Sequence, residues 1–443
     1  MPFMNLEKKM FNYIVYGLYA SILVHINQWL SAEILKKRAE KKVIRTVHRA
    51  YKEVPYYKKK YDQAGVSIDE IKTLEDLKKL PFITKDEIRD NFPDDILARG
   101  TVIRHCHYSA TTGSTGRSLP FVFSHNTHTF YNTTNFRVYT MFGYRPWHKA
   151  VYVKYTNTNI RSFGPLFRTA HVSSILPVRD QIDAIKKEKP DMLVGYASLI
   201  LEISRTVTAE DLKLIRPKFI SVNSELSTAD QRDSISKVFN CPVYDEYSTE
   251  ETWMIASQCK EHNYHLFIDN VWVEFLDKNG NDAKPGEIGE IVLTTMMSPV
   301  MPFIRYQIND LGRPSEKKCD CGRGFPLLEA FDGRRDDSFI LPSGKFISSL
   351  KLLNTFTMYI KKYLHLMEEF KVVQKEKGLV VIYLVPGKEF REDRFKELTD
   401  QLHRIFGEPV TIKIEKVKSI PGGGTVKRKA IESLVNKRDI PEL

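Results

Sequence analysis

The sequence predicts an α/β protein with a large N-terminal domain, residues 1–335, and a small α+β C-terminal domain, residues 336–443. Two patterns support this prediction. Between residues 119 and 245, short apolar strands alternate with helices, which is typical of a mostly parallel sheet covered by helices on both faces. Residues 264–311 instead show the alternation and the turn residues of antiparallel hairpins.

Composition and charge exclude several classes of protein. Hydrophobic residues make up 42% of the chain and charged residues 28%, as in an ordinary globular protein. The net charge is +12, but the basic residues are spread along the chain beside acidic ones, so no nucleic-acid partner is expected. Five cysteines in 443 residues do not form a disulfide framework, and a cytoplasmic location is expected.

The N-terminal segment, residues 11–30, contains no Lys, Arg, Asp or Glu. A membrane-spanning helix needs about 20 predominantly apolar residues, whereas Asn12, His25, Asn27 and Gln28 interrupt this segment. The segment lacks the small-residue cleavage site of a signal peptide, so none is expected. The pattern favours an amphipathic helix that packs on the protein. Peripheral contact with a membrane surface is the alternative.

The elements follow in order along the chain. Residues 31–62 are predicted to be helical with a break at Val54-Pro55, and Thr84 and Glu87 form a capping box. The α/β region is predicted to contain strands at 119–123, 150–155, 192–194, 219–222 and 242–244, and helices at 181–189 and 197–207. The C-terminal unit is predicted to contain helices at 350–366 and 390–406, and strands at 369–373, 379–385 and 411–416.

A loop rich in hydroxyl groups and glycine lies within residues 108–124. Its candidate ligand-binding residues are Ser109, Thr111, Thr112, Gly113, Ser114, Thr115 and Gly116. Such loops offer backbone N–H groups and hydroxyl donors to phosphate oxygens, although the common P-loop pattern is absent. The alternative is an ordinary surface loop of small residues. Ser224 and Glu225 follow a predicted strand, where ligands of such sheets bind.

Four further stretches follow this loop in a characteristic order: Tyr247–Glu251, Ile304–Leu311, Gly333–Ile340 and Pro421–Lys429. Together, the five stretches resemble the adenylate-forming ligase superfamily. The closer resemblance is to its phenylacetate–CoA ligase branch, which includes proteins of capsular polysaccharide biosynthesis. The resemblance extends over nearly the whole chain. It implies a large nucleotide- and acid-binding domain and a small mobile domain.

The resemblance also implies roles for individual residues. The loop 111–116 would hold the β- and γ-phosphates of ATP, with Arg117 where the family has Pro-Lys. Tyr247 and Ser248 would lie near the nucleotide. A glutamate would bind Mg²⁺, and the register leaves both Glu250 and Glu251 open.

The later motifs would contact ribose and phosphate. Asp310 would bind the ribose hydroxyls, and Asn309 replaces a glycine while tolerating left-handed backbone geometry. Arg334 would contact ribose or phosphate, and Asp336 would be the pivot between domains. Lys345 lies where the family often has a basic residue, nine positions after Asp336, and would also contact the nucleotide. A final loop would carry the adenylation lysine. Lys427 has the expected spacing for it; Lys429 is a second candidate because Val426 replaces the usual glycine.

The cysteines fit the same branch. Cys259-x5-His265 followed by Cys319-x-Cys321 resembles a structural zinc site of some members, with His262 as an alternative ligand. The alternative to a metal site is a set of buried thiols.

The implied reaction has two steps: a carboxylate and ATP form an acyl-adenylate, and coenzyme A then displaces AMP. Two alternatives stay open. The acyl group goes to an amine or hydroxyl of a surface-polysaccharide precursor, or the protein binds nucleotide without catalysis. The substrate is expected to be a small carboxylic acid. Aromatic residues at 131–147 raise the alternative of an aromatic-acid pocket, although a core helix is favoured. A homodimer is a further expectation from the resemblance.

Overall fold

The computed structural model describes residues 6–111, 119–155, 165–363, 366–420 and 429–435. The chain forms two compact units. The first comprises residues 1–143, 246–308 and 313–330, and the second comprises residues 144–245, 309–312 and 331–443. The predicted α/β class is confirmed, while the boundary at residues 335/336 stays a prediction.

The helices among the described residues are α1 (Leu6–Asn27), α2 (Ala32–Glu53), α3 (Pro55–Gln63), α4 (Lys85–Asp90), α5 (His125–Phe142), α6 (Val178–Glu188), α7 (Ala197–Thr206), α8 (Ala209–Leu214), α9 (Ala229–Phe239), α10 (Ser349–Lys362) and α11 (Glu392–Phe406). The predicted break between α2 and α3 is confirmed, with proline at the start of α3, where its missing N–H costs nothing. The capping box of Thr84 and Glu87 is also confirmed.

The strands among the described residues are β1 (His107–Ala110), β2 (Pro120–Phe123), β3 (Ala150–Lys154), β4 (Thr169–Ser173), β5 (Met192–Tyr196), β6 (Phe219–Asn223), β7 (Val243–Thr249), β8 (Trp253–Gln258), β9 (Tyr264–Leu266), β10 (Val271–Leu276), β11 (Gly289–Thr295), β12 (Tyr306–Ser315), β13 (Leu327–Arg334), β14 (Phe339–Ile340), β15 (Phe346–Ile347), β16 (Met367–Glu376), β17 (Leu379–Pro386), β18 (Thr411–Lys416) and β19 (Ile431–Ser433).

The first unit contains antiparallel strand pairs: β10 with β11, β13 with β9, β9 with β8, and residues 246–249 of β7 with β8. The predicted hairpin is confirmed, since β10 and β11 pair antiparallel from Val271–Thr295 to Leu276–Glu290. β1 and β2 form a separate antiparallel hairpin. Helix α1 packs against α5, as the sequence favoured. Within the described residues, none of the helices combines the length and the apolar character needed to cross a bilayer.

The second unit contains the predicted parallel strands, in the order β6-β5-β3-β4. β3 pairs parallel with β4 and β5, and β5 pairs parallel with β6. Val151, Leu193 and Ile220 from these strands are fully buried in one cluster with side chains of α6, α7 and α9. Because helices cover both faces, the strands are continuous apolar runs rather than alternating ones.

The C-terminal part of the second unit has its own hydrophobic cluster. The strand order is β18-β17-β16-β19, and α10 and α11 contribute buried side chains such as Leu352, Phe356, Leu398 and Phe406. The predicted pattern of helix, two strands, helix and strand is confirmed for residues 349–416.

Candidate functional site

The hairpin of β1 and β2 presents the hydroxyl-rich loop. Ser109 pairs with Phe121 and is exposed. At the base of the loop, the Thr111 N–H donates to the Leu119 carbonyl at 3.0 Å, and the Leu119 N–H donates to Thr111 Oγ1 at 3.2 Å. Both ends of the loop are therefore fixed to one another. Thr112, Gly113, Ser114, Thr115, Gly116 and Arg117 lie outside the described residues.

Aromatic packing joins this hairpin to the turn after β7. The Trp253 ring stacks on Tyr131 of α5, with centroids 5.6 Å apart and planes 12° apart. It also meets the Phe123 ring of β2 nearly at right angles, 6.4 Å away. Trp253 adopts φ of +64°, a conformation that non-glycine residues hold only where surrounding contacts impose it. This packing fixes the turn that carries the candidate magnesium ligands.

The structure distinguishes the two glutamates of that turn. Glu251 is buried and accepts a hydrogen bond of 2.9 Å from the Tyr306 hydroxyl, whereas Glu250 is exposed. Tyr247 pairs with Ala256 in the β7–β8 ladder and is half-buried, and Ser248 is exposed. A fixed carboxylate with one oxygen oriented by a buried donor is suited to hold a hard cation.

Three histidines pack on the flank of the same hairpin. His107 Nε2 lies 2.8 Å from His125 Nδ1, and the His107 and His128 rings stack with centroids 4.0 Å apart. Burial, followed by the neighbouring His128 and His125, lowers the pKa of His107 to about 4. The His107 imidazole is therefore neutral at neutral pH. No sequence pattern indicated this group, because its members come from β1 and from the later helix α5.

In the second unit, polar groups meet at the carboxyl ends of β3 and β6, the two parallel strands on either side of β5. The Lys154 ammonium at the end of β3 donates to Asn223 Oδ1 at the end of β6 and lies 3.4 Å from Ser224 Oγ. Ser224 adopts φ of +67°. Glu225 accepts a hydrogen bond of 2.9 Å from the Ser198 N–H at the start of α7. This is the strand edge at which ligands of parallel sheets bind.

The ribose motif and the hinge motif meet within the second unit. Arg334 Nε lies 3.4 Å from Asp310 Oδ1. Asn309 adopts φ of +65°, so the left-handed geometry expected there is confirmed. Gly333 adopts φ of +92°, and a Cβ atom there would lie 2.0 Å from Ser349 Oγ. The backbone next to Arg334 therefore requires glycine.

The structure describes one of the two candidates for the adenylation lysine. Lys427 lies outside the described residues. Lys429 Nζ donates to Asp337 Oδ1 at 2.8 Å, and Asp337 lies in the 3₁₀ turn Arg335–Asp337 that includes the expected pivot, Asp336. The last motif is thus paired with the hinge motif.

Lys345 occupies a position that the sequence did not suggest. Its ammonium donates to the Phe406 carbonyl at 2.7 Å and to the Ile405 carbonyl at 3.3 Å. These are orphan carbonyls at the C-terminal end of α11, where a cation is also favoured by the helix dipole. In this structure Lys345 is a helix cap, and its predicted contact with nucleotide remains a prediction.

The cysteine and histidine residues converge in the first unit. The side-chain ligand atoms of Cys259, His265, Cys319 and Cys321 all lie within 4.8 Å of one another. Cys259 Sγ lies 3.5 Å from Cys319 Sγ, and Cys321 Sγ lies 3.3 Å from His265 Nε2. A tetrahedral zinc site with ordinary bond lengths has edges of about 3.5–3.8 Å. The donor set and its spacing therefore fit zinc.

The surroundings of the cluster also fit a metal. Asn263 Nδ2 donates to Cys319 Sγ at 3.2 Å, as an outer partner of a thiolate ligand does. Burial lowers the pKa of His265 to about 4, so its imidazole is neutral and can bind a metal. The alternative ligand His262 is exposed and is not part of the cluster.

The loop after Cys321 also holds the end of the first helix. The Gly324 N–H donates to the Gln28 carbonyl at 3.0 Å, and Arg323 Nε donates to Gln28 Oε1 at 2.8 Å. A Cβ atom on Gly324 would lie 1.7 Å from the Leu30 carbonyl oxygen. We call residues 319–324 the cysteine loop. The backbone of this loop lies so close to residues 28–30 that there is no space for a side chain at position 324.

The chain is similar in sequence to two kinds of known protein. Residues 339–433 match the family described as the CapK C-terminal domain. The chain is 26% identical over 332 residues to phenylacetate-coenzyme A ligase of Thermus thermophilus, which covers 70% of this chain and 73% of that protein. Protein CapK of Staphylococcus aureus is 25% identical over 390 residues, 82% of this chain and 81% of that protein.

Solved structures agree. 2-Hydroxyisobutyryl-CoA ligase in the postadenylation state, in complex with 2-HIB-AMP, matches with a TM-score of 0.77 and 17% identity over 94% of this chain and 92% of that chain. The chain has the fold of an acyl-CoA ligase. An open conformation of the same ligase in complex with 2-HIB-AMP and CoA matches with a TM-score of 0.63 and 18% identity, over 92% and 93% of the two chains. The resemblance predicted from the five motifs is confirmed.

On this ligase fold, each of four contacts links one motif to another within one unit. In the first unit, Trp253 beside the acidic turn meets the hairpin of the hydroxyl-rich loop, and Glu251 meets Tyr306 of the ribose motif. In the second unit, Asp310 meets Arg334, and Asp337 meets Lys429. The contacts of Trp253, Tyr306 and Lys154 were missed from the sequence. Only Tyr306 carries a local signal, because it lies inside a motif.

Proposed function

We propose that the protein is an ATP-dependent carboxylic acid ligase that forms an acyl-adenylate and then an acyl-CoA thioester. The observation that carries this proposal is the set of motif-to-motif contacts on an acyl-CoA ligase fold. Glu251 with Tyr306, Asp310 with Arg334, and Asp337 with Lys429 join segments far apart in the chain. Similarity to phenylacetate-coenzyme A ligases over two thirds of their length also supports it.

In the first unit, we assign Glu251 as the carboxylate that binds Mg²⁺. Its burial and its fixed orientation support this choice over Glu250. Mg²⁺ there would neutralise charge on the phosphates of ATP. Ser109 and the loop 111–116 would donate hydrogen bonds to phosphate oxygens, and Tyr247 and Ser248 would lie beside the nucleotide base.

In the second unit, we assign Asp310 to the ribose hydroxyls and Arg334 to ribose or phosphate. Ser224 and Glu225 would contact the nucleotide, and their position at the carboxyl end of β6 supports this assignment. Lys427 is the proposed adenylation lysine. The ion pair of Lys429 with Asp337 supports this choice, because an ammonium group held by a carboxylate is less available to phosphate.

The first step requires positioning and charge neutralisation rather than a general base. The substrate carboxylate, already an anion, attacks the α-phosphorus of ATP, and the bond to the β-phosphate oxygen breaks to release pyrophosphate. The thiol of coenzyme A then loses its proton to solvent, its sulfur attacks the acyl carbon, and the bond between that carbon and the phosphate oxygen of AMP breaks to release AMP. Fixed cationic and N–H donors can stabilise the charge that develops in both steps.

Carboxylate-dependent exchange of radiolabelled pyrophosphate into ATP tests adenylation, with a panel of small aliphatic and aromatic acids. We expect Glu251→Gln to lose most of the exchange and the matched Glu250→Gln variant to retain it. The reverse result would reassign the metal ligand. Absence of exchange with every acid would favour the alternative of a protein that binds nucleotide without catalysis.

The acceptor is a separate question. The match of residues 339–433 to the CapK C-terminal domain supports the alternative in which an amine or hydroxyl of a surface-polysaccharide precursor receives the acyl group. Adding coenzyme A to an acid that supports exchange, and measuring thioester by mass spectrometry, separates the two. Exchange without thioester would favour the alternative acceptor.

We also propose that Cys259, His265, Cys319 and Cys321 bind a structural Zn²⁺. The four-ligand geometry supports this proposal, because catalytic zinc sites keep one position open. Burial raises the pKa of the Cys259 thiol to about 12, so metal binding must displace a proton that the apo protein would retain.

Metal analysis of the purified protein tests this site directly. We expect one zinc per chain, and we expect Cys319→Ser to lose it and to unfold at lower temperature. Cys106→Ser is the matched control, since Cys106 is a half-buried thiol outside the cluster. Equal metal content in the two variants would contradict the proposal.

The remaining expectations on substrate, partners and location stay predictions. A small acid fits the ligase relatives, and the stacked rings of Trp253 and Tyr131 near Glu251 support an aromatic one. A cytoplasmic location remains a prediction. Peripheral membrane contact through residues 11–30 and a homodimer both need an exposed contact surface. The exposed side of the N-terminal helix supports either prediction.

A further inference from the structure

The outer face of α1 is apolar over residues 15–26. Among residues 15–26, all of which the structure describes, each exposed residue is a large apolar one: Val15 (48% exposed), Leu18 (62%), Tyr19 (60%), Ile22 (61%) and Ile26 (54%). We call these five residues the outer face. Their spacing of three or four residues places them in one stripe of the helix. Trp29, 58% exposed, extends the stripe past the helix end.

The side of the same helix region that faces the protein is partly polar. His25 Nδ1 lies 2.7 Å from the Ser21 carbonyl oxygen, and His25 Nε2 lies 3.2 Å from Thr140 Oγ1. Buried Asn27 donates to Asp269 Oδ2 at 3.1 Å. The polar groups therefore have their partners inside.

This arrangement is the inverse of that of a helix on a water-exposed surface, where the apolar stripe faces the core and the polar side faces solvent. A contiguous apolar face of this kind marks a contact with another apolar phase or protein. His25, Asn27 and Gln28, which interrupt the apolar segment in the sequence, thus have partners in the protein, and the outward stripe over residues 15–26 is not interrupted.

Charge on the next helix indicates the nature of the partner. α2 follows after a short turn and buries Leu35, Val43 and Val47, while its basic residues Lys36, Lys37, Arg38, Lys41 and Arg45 are exposed. The net charge of the whole chain is also positive. Arg38 Nη1 donates to Asn27 Oδ1 at 3.0 Å, so the basic part of α2 adjoins the end of α1. Basic residues that adjoin an apolar helix match a surface with an apolar interior and anionic headgroups. Trp29, with the Arg323 guanidinium 4.9 Å from its ring centre, is the residue type that favours such an interface.

We propose that the outer face of α1 lies in the surface of an anionic lipid bilayer, with the exposed basic residues of α2 meeting phosphate headgroups. The helix lies on the membrane and does not cross it. This inference does not depend on the proposed ligase activity, since it concerns only residues 15–45.

Sedimentation of the full chain with lipid vesicles tests the proposal. We expect binding to phosphatidylcholine vesicles containing phosphatidylglycerol to exceed binding to pure phosphatidylcholine vesicles by at least about tenfold at low salt. The double variant Leu18→Ser, Ile22→Ser should lose this binding. The matched control is Ile175→Ser, Leu214→Ser, which removes two apolar side chains that are 70% and 50% exposed elsewhere and should bind as the parent does.

Further readouts keep the test decisive. Lys36→Gln, Lys37→Gln should weaken binding to the anionic vesicles only. Because the substituted side chains are exposed, each variant is expected to fold. Far-ultraviolet circular dichroism checks this. Equal vesicle binding by the outer-face variant and its control would overturn the proposal. So would a change from dimer to monomer in the outer-face variant, without vesicle binding by the parent, because the face would then contact a second copy of the chain.

Discussion

Removing the Tyr306 hydroxyl isolates the contact between the ribose motif and the acidic turn. Tyr306 is fully buried, and its hydroxyl donates to the buried carboxylate of Glu251 at 2.9 Å. Tyr306→Phe keeps the ring and its packing against Phe303 but leaves one carboxylate oxygen without this donor. Both the stability of the first unit and the orientation of the proposed metal ligand should respond.

The size of the effect follows from burial. A hydrogen bond to a charged group contributes about 1.5–3 kcal/mol, and a loss of that size should lower the melting temperature of a unit of this size by about 3–12 °C. Glu251 itself is unchanged in the variant, which should therefore still bind Mg²⁺, but more weakly, and exchange activity should fall more at low Mg²⁺ than at saturating Mg²⁺.

Tyr131→Phe is a matched control. The Tyr131 ring is also fully buried, but its hydroxyl makes no hydrogen bond among the described residues. Deleting a buried hydroxyl without a partner should leave the melting temperature unchanged or raise it. Thermal melts followed by near-ultraviolet circular dichroism, with pyrophosphate exchange as a function of Mg²⁺, compare the two variants. Equal melts and equal Mg²⁺ dependence would refute the reasoning.

Three further predictions concern other parts of the molecule. Lys427→Ala should reduce pyrophosphate exchange about 100- to 1,000-fold, as loss of a charge-stabilising group does; near-normal exchange would exclude that lysine. Because burial lowers the pKa of His107 to about 4 from its ordinary 6.5, stability present above pH 6.5 should fall as the pH drops toward 4. Denaturant titrations should show a weaker pH dependence for His107→Gln and an unchanged one for the exposed His105→Gln. Gly324→Ala should destabilise the first unit, since its Cβ atom would meet the Leu30 carbonyl oxygen at 1.7 Å; an unchanged melt would show that the backbone can move apart.

Local chemistry explains what could be predicted from the sequence. The break at Val54-Pro55 depends on a ring that fixes φ, and the capping box at Thr84 depends on neighbours three residues apart. The parallel strands of the second unit are apolar runs between amphipathic helices, and this pattern is also local. The left-handed geometry of Asn309 followed from the residue type.

The features that could not be predicted from the sequence depend on contacts between distant segments. Nothing near Glu251 in the sequence indicates that Tyr306 would bond to it and leave Glu250 in solvent. Trp253 stacks on a helix more than one hundred residues earlier. Lys345 was predicted from a motif to contact nucleotide, but its nearest carbonyl partners belong to a later helix. Likewise, the composition of residues 11–30 gave their polarity but not which side of the helix would face outward.

The cysteine loop ties the four thiol and imidazole ligands to the N-terminal corner of the chain. Gly324 touches the backbone at Leu30, and Arg323 holds Gln28. Any event that opens the loop, such as chelation or oxidation of its thiols, would therefore loosen the segment on which the apolar helix ends. With the proposed zinc site and the proposed membrane contact, loss of the metal would thus weaken lipid binding together with the fold.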